Sequence, residues 1–409
     1  MRVPVVGRKK YSNPFSQASN SPIHTTRDKP SSKETETPPI LILDPAILRP
    51  ECLAQDRLVK WRPVQSPKIQ LIRNDGRSIT DILSEGLAEN TRKSYAPGLR
   101  CYHQFCDAKD VAEIARAPAS HTLIVEFVGS IIGFFAPSTI KGYYYSVDAW
   151  HRLHILPFPN AERELNLLLK AANVFAPPSS KKPKRAPITV QNIEAIHSLL
   201  NHSDPFDAAF YACLVTCFWS VSRLGEFTVE RKDVTFDPKK HISINNLRDE
   251  TDRNGNEVQI LHLPSTKTER VNGEDVQWAQ QSGVTDPVSA LKHHLRINKP
   301  SSKEHLFSYT DKGLRVILSK KKFTDTLSKL TKKLNIFQVY GHSLRIGGTL
   351  EYLLRNVPFL VVKTMGCWKG DSFQIYLRRH GQVLASYIQD KPIFQQLLKE
   401  LPPVRTSGE

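Results

Sequence analysis

The sequence predicts a mainly α-helical protein with two domains and a small antiparallel β-sheet in the second. Apolar residues recur at helical spacing through residues 78–175 and again after residue 188. Between these stretches lies the segment APPSSKKPKRAP, whose proline and serine content is typical of a linker. In the second stretch, Asn254 and Gly255 separate two runs of alternating hydrophobicity, which indicates a β-hairpin.

These patterns divide the 409 residues into five segments. We expect a disordered tail at 1–77, a helical domain at 78–175, a basic linker at 176–187, a second domain at 188–400 and a C-terminal tail at 401–409. The first tail is rich in Ser, Thr, Pro and charged residues, which leave little apolar surface to bury. Within it, the apolar segment LILDPAIL could dock as a strand or a helix.

Four helices are expected in the first domain. NTRKSYAPGLRCYHQFCDA places Tyr95, Leu99, Tyr102 and Phe105 on one face, and Pro97 predicts a late start or a kink. SHTLIVEFVGSIIGFF, PSTIKGYYYSVDAWHRLH and AERELNLLLKAANVF supply the other three. Helices so closely spaced indicate a small bundle.

The second domain is expected to mix helices and strands. VQNIEAIHSLL and DAAFYACLVTCFWSVSRLGEF open it as helices, and HISINNLR and EVQILHLPSTKTER follow as strands around the turn DRNGNE. PVSALKHHLRI and KKFTDTLSKLTKKL then return to helical spacing. The last helix carries lysines along one face, which is either solvated or turned towards DNA.

The charge balance favours a polyanionic partner. The chain has 57 Lys and Arg against 40 Asp and Glu, a formal net charge of +17, which suits nucleic acid or an anionic membrane surface. No stretch approaches the roughly 18 consecutive apolar residues of a spanning helix, and the N-terminus lacks the apolar core of a secretory signal. We therefore expect nucleic acid and no membrane. The six cysteines lack zinc spacing and are expected to be reduced thiols.

The densest group of chemically useful residues lies in GHSLRIGGTLEYLLRNVPFLVVKTMGCWKGDSFQIYLRRH. His342 and Arg345 are three residues apart and project from one helical face. Upstream, Arg223 precedes Glu226 by the same spacing, so the carboxylate can orient the guanidinium. Two arginine forks match phosphate oxygens, and the N–H groups of the histidine and of Trp368 add donors. Together they would stabilise a pentacoordinate phosphorus.

A nucleophile and an acid complete this hypothesis. The hydroxyl of Tyr376 has a pKa of about 10 when free, and nearby arginines would lower that pKa by favouring the phenolate. The leaving 5′-oxygen needs a proton, and Lys267, just after the second predicted strand, could donate it.

This order of residues resembles the tyrosine recombinase (phage integrase) family. Seven positions carry the resemblance: the family's first arginine, supporting acid, hairpin lysine, HxxR pair, His-or-Trp position and nucleophile match, in that order, Arg223, Glu226, Lys267, His342, Arg345, Trp368 and Tyr376. The phrases HSLRIGGT, GCW and SFQIYLR most resemble recombinases of eukaryotic, fungal Crypton-type mobile elements.

The resemblance implies both a fold and an activity. The fold would be a helical, SAM-like core-binding domain followed by an α+β catalytic domain, which together clamp double-stranded DNA. The tyrosine would attack the scissile phosphate and form a 3′-phosphotyrosine link without a metal or other cofactor, and a free 5′-hydroxyl would then reseal the strand. Family members act as tetramers on DNA, so self-assembly to a tetramer is expected.

The linker adds a prediction about DNA contact and localisation. Its basic residues would lie along the phosphate backbone or form a nuclear localisation signal, and the second role implies a nuclear protein. These residues are Lys181, Lys182, Lys184 and Arg185.

Several assignments have rivals. Lys239, Lys240 and Arg270 flank the hairpin of the candidate lysine, and Tyr387 is a rival nucleophile. A shifted register would put Cys367 at the His-or-Trp position, although a thiol is a weak donor. A DNA-binding descendant of a recombinase without catalysis would carry the same charge, and a type IB topoisomerase-like enzyme would share the chemistry without synapsis.

Overall fold

The computed structural model describes residues 45–67, 76–180, 185–231, 233–337, 339–370, 373–374 and 380–385, together with Pro14. The chain divides into two compact units, Met1–Pro183 and Lys184–Glu409. The described helices of the first unit are α1 Pro45–Leu48, α2 Arg57–Lys60, α3 Ile79–Glu85, α4 Glu89–Ala108, α5 Glu113–Arg116, α6 His121–Ser130, α7 Pro137–Leu153 and α8 Glu162–Phe175.

The first unit is built around α4 and α7. Tyr102 and Phe105 of α4 are fully buried and meet Phe127 of α6 and Trp150 of α7 in one apolar core. Helix α4 begins well before Pro97, so the expected late start is wrong. The four predicted helices of this unit are present as α4, α6, α7 and α8.

Residues 45–67 also belong to this unit, which corrects the prediction of a disordered tail through residue 77. Leu58 of α2 is fully buried in the core of the first unit. The indole N–H of Trp150 donates to the carbonyl of Trp61 at 2.7 Å. The polar composition of the whole tail conceals these few apolar residues, which bury enough surface to hold the segment in place.

A cluster of alternating charges ties the same segment to the bundle. Arg49 contacts Asp107 at 3.0 Å and Glu113 at 2.9 Å. Arg116, itself almost fully buried, contacts the same two acids at 2.7 and 3.3 Å. Each acid is therefore shared by two guanidinium groups, one of which comes from the segment before α2.

The second unit surrounds a central helix with further helices and two small sheets. Every residue from Ala208 to Trp219 of this central helix, α10, is buried. The described helices of this unit are α9 Val190–His197, α10 Pro205–Trp219, α11 Leu224–Phe227, α12 Pro287–Asn298, α13 Lys320–Lys333, α14 Gly341–Leu354, α15 Phe359–Met365 and α16 His380–Ala385.

The strands form one three-stranded and one two-stranded antiparallel sheet. Their bounds are β1 Leu247–Thr251, β2 Glu257–Leu263, β3 Glu274–Trp278, β4 Ser308–Asp311 and β5 Leu314–Ile317, in the orders β1-β2-β3 and β4-β5. The predicted hairpin is confirmed: Thr251 pairs with Glu257 across a turn in which Gly255 has a φ of +82°. The prediction of a mainly α protein with a small antiparallel sheet is also confirmed, although β3, β4 and β5 were not predicted.

Two consecutive glycines let α14 approach the end of α10 closely. A Cβ on Gly347 would overlap the carbonyl oxygen of Ile188, and a Cβ on Gly348 would overlap that of Phe218. Because these glycines lie two and three residues after Arg345, the close approach brings the HxxR segment to the end of α10. No helix in the described ranges is long and apolar enough to cross a membrane.

Candidate active site

Arg223 is positioned by a tight reversal of the chain after α10. Val221 has a φ of +53°, a conformation that a β-branched residue rarely adopts, and its side chain is fully buried. The guanidinium of Arg223 then donates to the carboxylate of Glu226 at 2.7 Å, and its backbone N–H donates to the other carboxylate oxygen at 3.0 Å. Glu226 therefore fixes both the backbone and the side chain of this arginine.

Arg345 of α14 is held by the segment that follows α15. Only 1% of Arg345 is exposed, and one of its terminal nitrogens donates to the carbonyl of Gly366. The guanidinium carbon lies 3.9 Å from the centre of the Trp368 ring, a distance typical of a cation–π contact. Cys367, between Gly366 and Trp368, has a φ of +53°. This conformation turns the chain so that the carbonyl of Gly366 and the ring of Trp368 both reach Arg345.

The two arginines meet at one pocket in the second unit. Arg223, Glu226, Arg345 and Cys367 line it together with Glu274 of β3. The pocket thus brings together elements that are far apart in sequence: the end of α10, the edge of the three-stranded sheet, α14 and the turn after α15. A pair of guanidinium groups converging on one pocket is a donor set suited to a phosphate.

His342 lies on the first turn of α14 among several cations. Burial of the ring and the charges of four side chains lower the pKa of His342 to about 4; these cations are Arg185, Arg345, Lys320 and Arg223. His342 is therefore neutral at pH 7 and can accept a proton or donate a single hydrogen bond.

Lys320 is a site cation that the sequence analysis missed. It is the first residue of α13, and its ammonium lies 3.8 Å from where a Cβ on Gly225 would stand. A backbone bridge between Val229 and Ser319 brings the start of α13 to this place. The signal in the sequence was the lysine run at the start of α13, but its destination depends on that long-range bridge.

Lys267 occupies the loop between β2 and β3 and is exposed. The rival Arg270 shares this loop and is also exposed. The rivals Lys239 and Lys240 precede β1 instead, and Lys240 lies 3.4 Å from Asp237. The loop of Lys267 is the one that ends at the pocket-lining strand β3.

Trp368 and its rival Cys367 point to different neighbours. The Trp368 ring contacts Arg345, whereas the thiol of Cys367 lies 3.8 Å from the carbonyl oxygen of Asp275. The remaining predicted site residues, Tyr376, Lys181, Lys182 and Lys184, lie outside the described residues, as does the rival Tyr387.

Of the four predicted linker cations, Arg185 lies within the described residues, and its guanidinium carbon lies 5.6 Å from the centre of the Tyr340 ring.

In the described part of the chain, no group of three or more His, Cys, Asp or Glu side chains is arranged to hold a metal ion.

Comparison with known proteins identifies the fold. No protein-family model matches the chain, and no curated protein sequence matches it either. Among solved structures, the XerH site-specific recombinase in a post-cleavage complex with palindromic difH substrate aligns with a TM-score of 0.50 at 14% identity, over 76% of this chain and 82% of that chain. The chain has the tyrosine recombinase fold.

Other similar structures align less well. The Tn1549 transposon integrase in complex with circular intermediate DNA gives a TM-score of 0.46 at 11% identity, over 76% of this chain and 99% of that chain. A lambda integrase dimer bound to a COC′ core site gives 0.39 at 12% identity, over 74% of this chain and 75% of that chain.

Proposed function

We propose that this protein is a tyrosine recombinase, which cuts and rejoins double-stranded DNA through a covalent link to Tyr376. One observation carries the proposal: Arg223 and Arg345, from distant parts of the sequence, converge on one pocket beside a neutral His342. This convergence occurs on the tyrosine recombinase fold. A pair of arginines with a neighbouring histidine is a donor set that suits a phosphodiester undergoing substitution.

The arginines would act on the phosphate itself. Each presents parallel N–H donors, and each is already fixed by its own neighbours, Glu226 for Arg223 and Trp368 for Arg345. Fixed donors need no reorganisation when the phosphorus becomes pentacoordinate and gains negative charge. The arginines therefore supply the positive charge for this step from the chain itself.

The bond changes follow from this arrangement. The phenol oxygen of Tyr376 forms a bond to phosphorus while the bond from phosphorus to the 5′-oxygen breaks. The phenol proton passes to solvent water, and neutral His342 donates a hydrogen bond to a phosphate oxygen. Lys267 donates a proton to the leaving 5′-oxygen. Rejoining reverses these steps: a 5′-hydroxyl attacks the phosphotyrosine and releases the enzyme.

The proposal extends to assembly and biological setting. The net charge of +17 supports a DNA partner, and the segments HSLRIGGT and SFQIYLR support descent from a Crypton-type mobile element. We propose that four copies assemble on two DNA sites, since exchange between two duplexes needs four cuts. The KKPKR run supports a nuclear location, and its replacement by neutral residues should leave the protein outside the nucleus.

Covalent trapping tests the chemistry. A nicked suicide substrate taken from the ends of the element that encodes the protein would be incubated with the native protein, Tyr376→Phe and the matched control Tyr387→Phe. We expect an adduct that survives denaturation with the native protein and the control, and no adduct with Tyr376→Phe.

Each other outcome has a definite meaning. An adduct that persists in Tyr376→Phe but disappears in Tyr387→Phe would move the nucleophile to Tyr387. Tight DNA binding without an adduct in any of the three proteins would contradict the proposal and favour a DNA-binding protein without catalysis. Relaxation of supercoiled plasmid without strand exchange would instead indicate a topoisomerase-like enzyme.

A further inference from the structure

The loop between β2 and β3 is anchored by one carboxylate, that of Glu274. Thr266 is buried, and its hydroxyl donates to Glu274 at 2.6 Å. The hydroxyl of Thr268 donates to the same carboxylate oxygen at 2.8 Å. Hydrogen bonds from hydroxyls to a carboxylate are short and strong compared with neutral ones, so this pair of contacts is a firm anchor.

The two anchored threonines flank Lys267. The hydroxyls of both threonines are hydrogen-bonded to Glu274, and the side chain of the lysine between them is exposed. A second set of bonds closes the turn, because the backbone N–H of Thr266 donates to the carbonyl of Glu269 at 2.7 Å and the backbone N–H of Glu269 donates to the Thr266 hydroxyl at 2.9 Å. The base from which Lys267 projects is therefore fixed on both sides.

The same carboxylate belongs to the pocket. Glu274 is the first residue of β3, pairs across the sheet with Leu263, and lines the pocket together with Arg223 and Arg345. The loop is also tied to the segment after Trp368, since the ammonium of Lys369 donates to the carbonyl of Thr268 at 3.4 Å. The position of the loop is thus coupled to the position of the two arginines.

We propose that Glu274 is a positioning residue that sets the place of Lys267 relative to the phosphate held by Arg223 and Arg345. This inference rests on the proposed function. Glu274 acts through the hydroxyls of Thr266 and Thr268 and takes no part in bond making. A displacement of about 1 Å in a reacting group can lower a rate about 100-fold, so a loosened loop would impair proton donation.

Replacing the leaving oxygen by sulfur separates this role from a general structural one. In a suicide substrate with a 5′-bridging phosphorothiolate, the phosphorus–sulfur bond breaks and the thiolate leaves without needing a proton, because thiols are far more acidic than alcohols. A defect confined to proton donation is therefore rescued by sulfur. A defect in phosphate binding or in tyrosine attack is not rescued.

The experiment measures single-turnover cleavage of the oxygen and sulfur substrates by matched variants. We expect Glu274→Ala to cleave the oxygen substrate about 100-fold more slowly than the native protein and the sulfur substrate within a fewfold of it. Lys267→Ala should show the same pattern. Glu274→Gln, which keeps an acceptor oxygen, should recover much of the rate. Glu257→Ala, an exposed acid at the opposite end of β2, should cleave both as the native protein does.

A second variant guards against misfolding of Glu274→Ala. Replacing Thr266 and Thr268 together by valine removes the two donors while keeping their shape, and the same sulfur-rescued defect is expected. Equal losses on both substrates, or a native rate on the oxygen substrate, would overturn the positioning role. Failure of the native protein on both substrates would instead overturn the proposed function, and the inference with it.

Discussion

The guanidinium carbon of Arg345 lies 3.9 Å from the centre of the Trp368 ring. The carbonyl of Gly366 accepts a hydrogen bond from the same guanidinium, so two contacts define the plane of the fork. A lysine ammonium would keep the charge but neither stack nor present two parallel donors. We expect Arg345→Lys to slow cleavage by about 100-fold or more, while DNA binding changes little.

A matched control exists for this variant. The guanidinium carbon of Arg355 lies 4.5 Å from the centre of the Trp219 ring, away from the pocket that Arg345 lines. Arg355→Lys should cleave at the native rate in the same assay. Equal loss in both variants would mean that the stacked arginines support folding rather than phosphate chemistry.

The space beside Gly366 gives a prediction about packing. A Cβ at this position would overlap the ring of Trp368, which is itself almost fully buried. We expect Gly366→Ala to lower the free energy of unfolding by about 1–3 kcal/mol and to reduce cleavage, because the ring must move off Arg345. Urea unfolding and the trapping assay would measure the two effects.

The comparison for that variant is Gly142→Ala in α7, where a Cβ meets nothing within 4 Å. There, removing a helical glycine should leave cleavage unchanged and stabilise the protein slightly. A Gly366→Ala protein as stable and active as Gly142→Ala would show that the tight fit at the turn has no consequence.

Lys320 should contribute a phosphate contact that its neighbour does not. Its ammonium stands near Gly225 and adds to the positive potential at His342. We expect Lys320→Ala to weaken DNA binding and to reduce the slope of log affinity against log salt by about 0.9. Fluorescence anisotropy across a salt series would measure that slope.

Lys321→Ala is the matched control because Lys321 is exposed and lies 2.7 Å from Asp325, its partner one helical turn along α13. The salt slope of this variant should equal that of the native protein. If both lysines lowered the slope equally, the effect would come from the general charge of the helix and not from the site.

The second unit should lose stability in acid. Burial lowers the pKa of His294 to about 4. One ring nitrogen donates to the carbonyl of Leu306 at 2.9 Å, and the other accepts from the side-chain amide of Asn298 at 3.0 Å. An unfolded histidine titrates near pH 6.5. Between these values the unfolded chain binds the extra proton, so stability falls as the pH is lowered from about 6.5 to about 4 and changes no further below that through this residue.

Replacing the histidine isolates its share. His294→Gln has no proton to gain, so its free energy of unfolding should fall less over this range, by roughly 1–3 kcal/mol. Urea unfolding between about pH 7 and about pH 4.5 provides the comparison. An unchanged pH dependence in the variant would show that other groups control acid unfolding.

Local pattern predicts much of this molecule because many of its relationships are local. The pairs Arg223 with Glu226 and His342 with Arg345 are each separated by three residues, a spacing that one helical turn brings together. The hairpin around Gly255 follows from the turn residues between its two strands. Such features depend on a few consecutive residues, which the sequence displays directly.

Long-range features were missed for a corresponding reason. Glu274 reaches the pocket because β3 pairs with β2, and β3 is too short to be recognised from its alternation alone. Lys320 lies near the pocket because the residue before it, Ser319, forms a backbone bridge with Val229, which is far from it in the sequence. The packing of residues 45–67 against the first unit was not predicted because composition averages over the whole tail. Burial depends on single side chains such as Leu58.

The shared acids of the first unit define where a self-sufficient fragment must begin. If the chain were cut just before α3, Asp107 and Glu113 would lose Arg49 and be left with Arg116 as their only partner in the cluster. Trp150 would also lose the carbonyl to which its indole donates. A truncated protein that starts at the apparent domain boundary would therefore carry two partly buried acids in excess of their cations and an indole N–H without its acceptor, whereas one that starts before Pro45 would keep both sets of interactions.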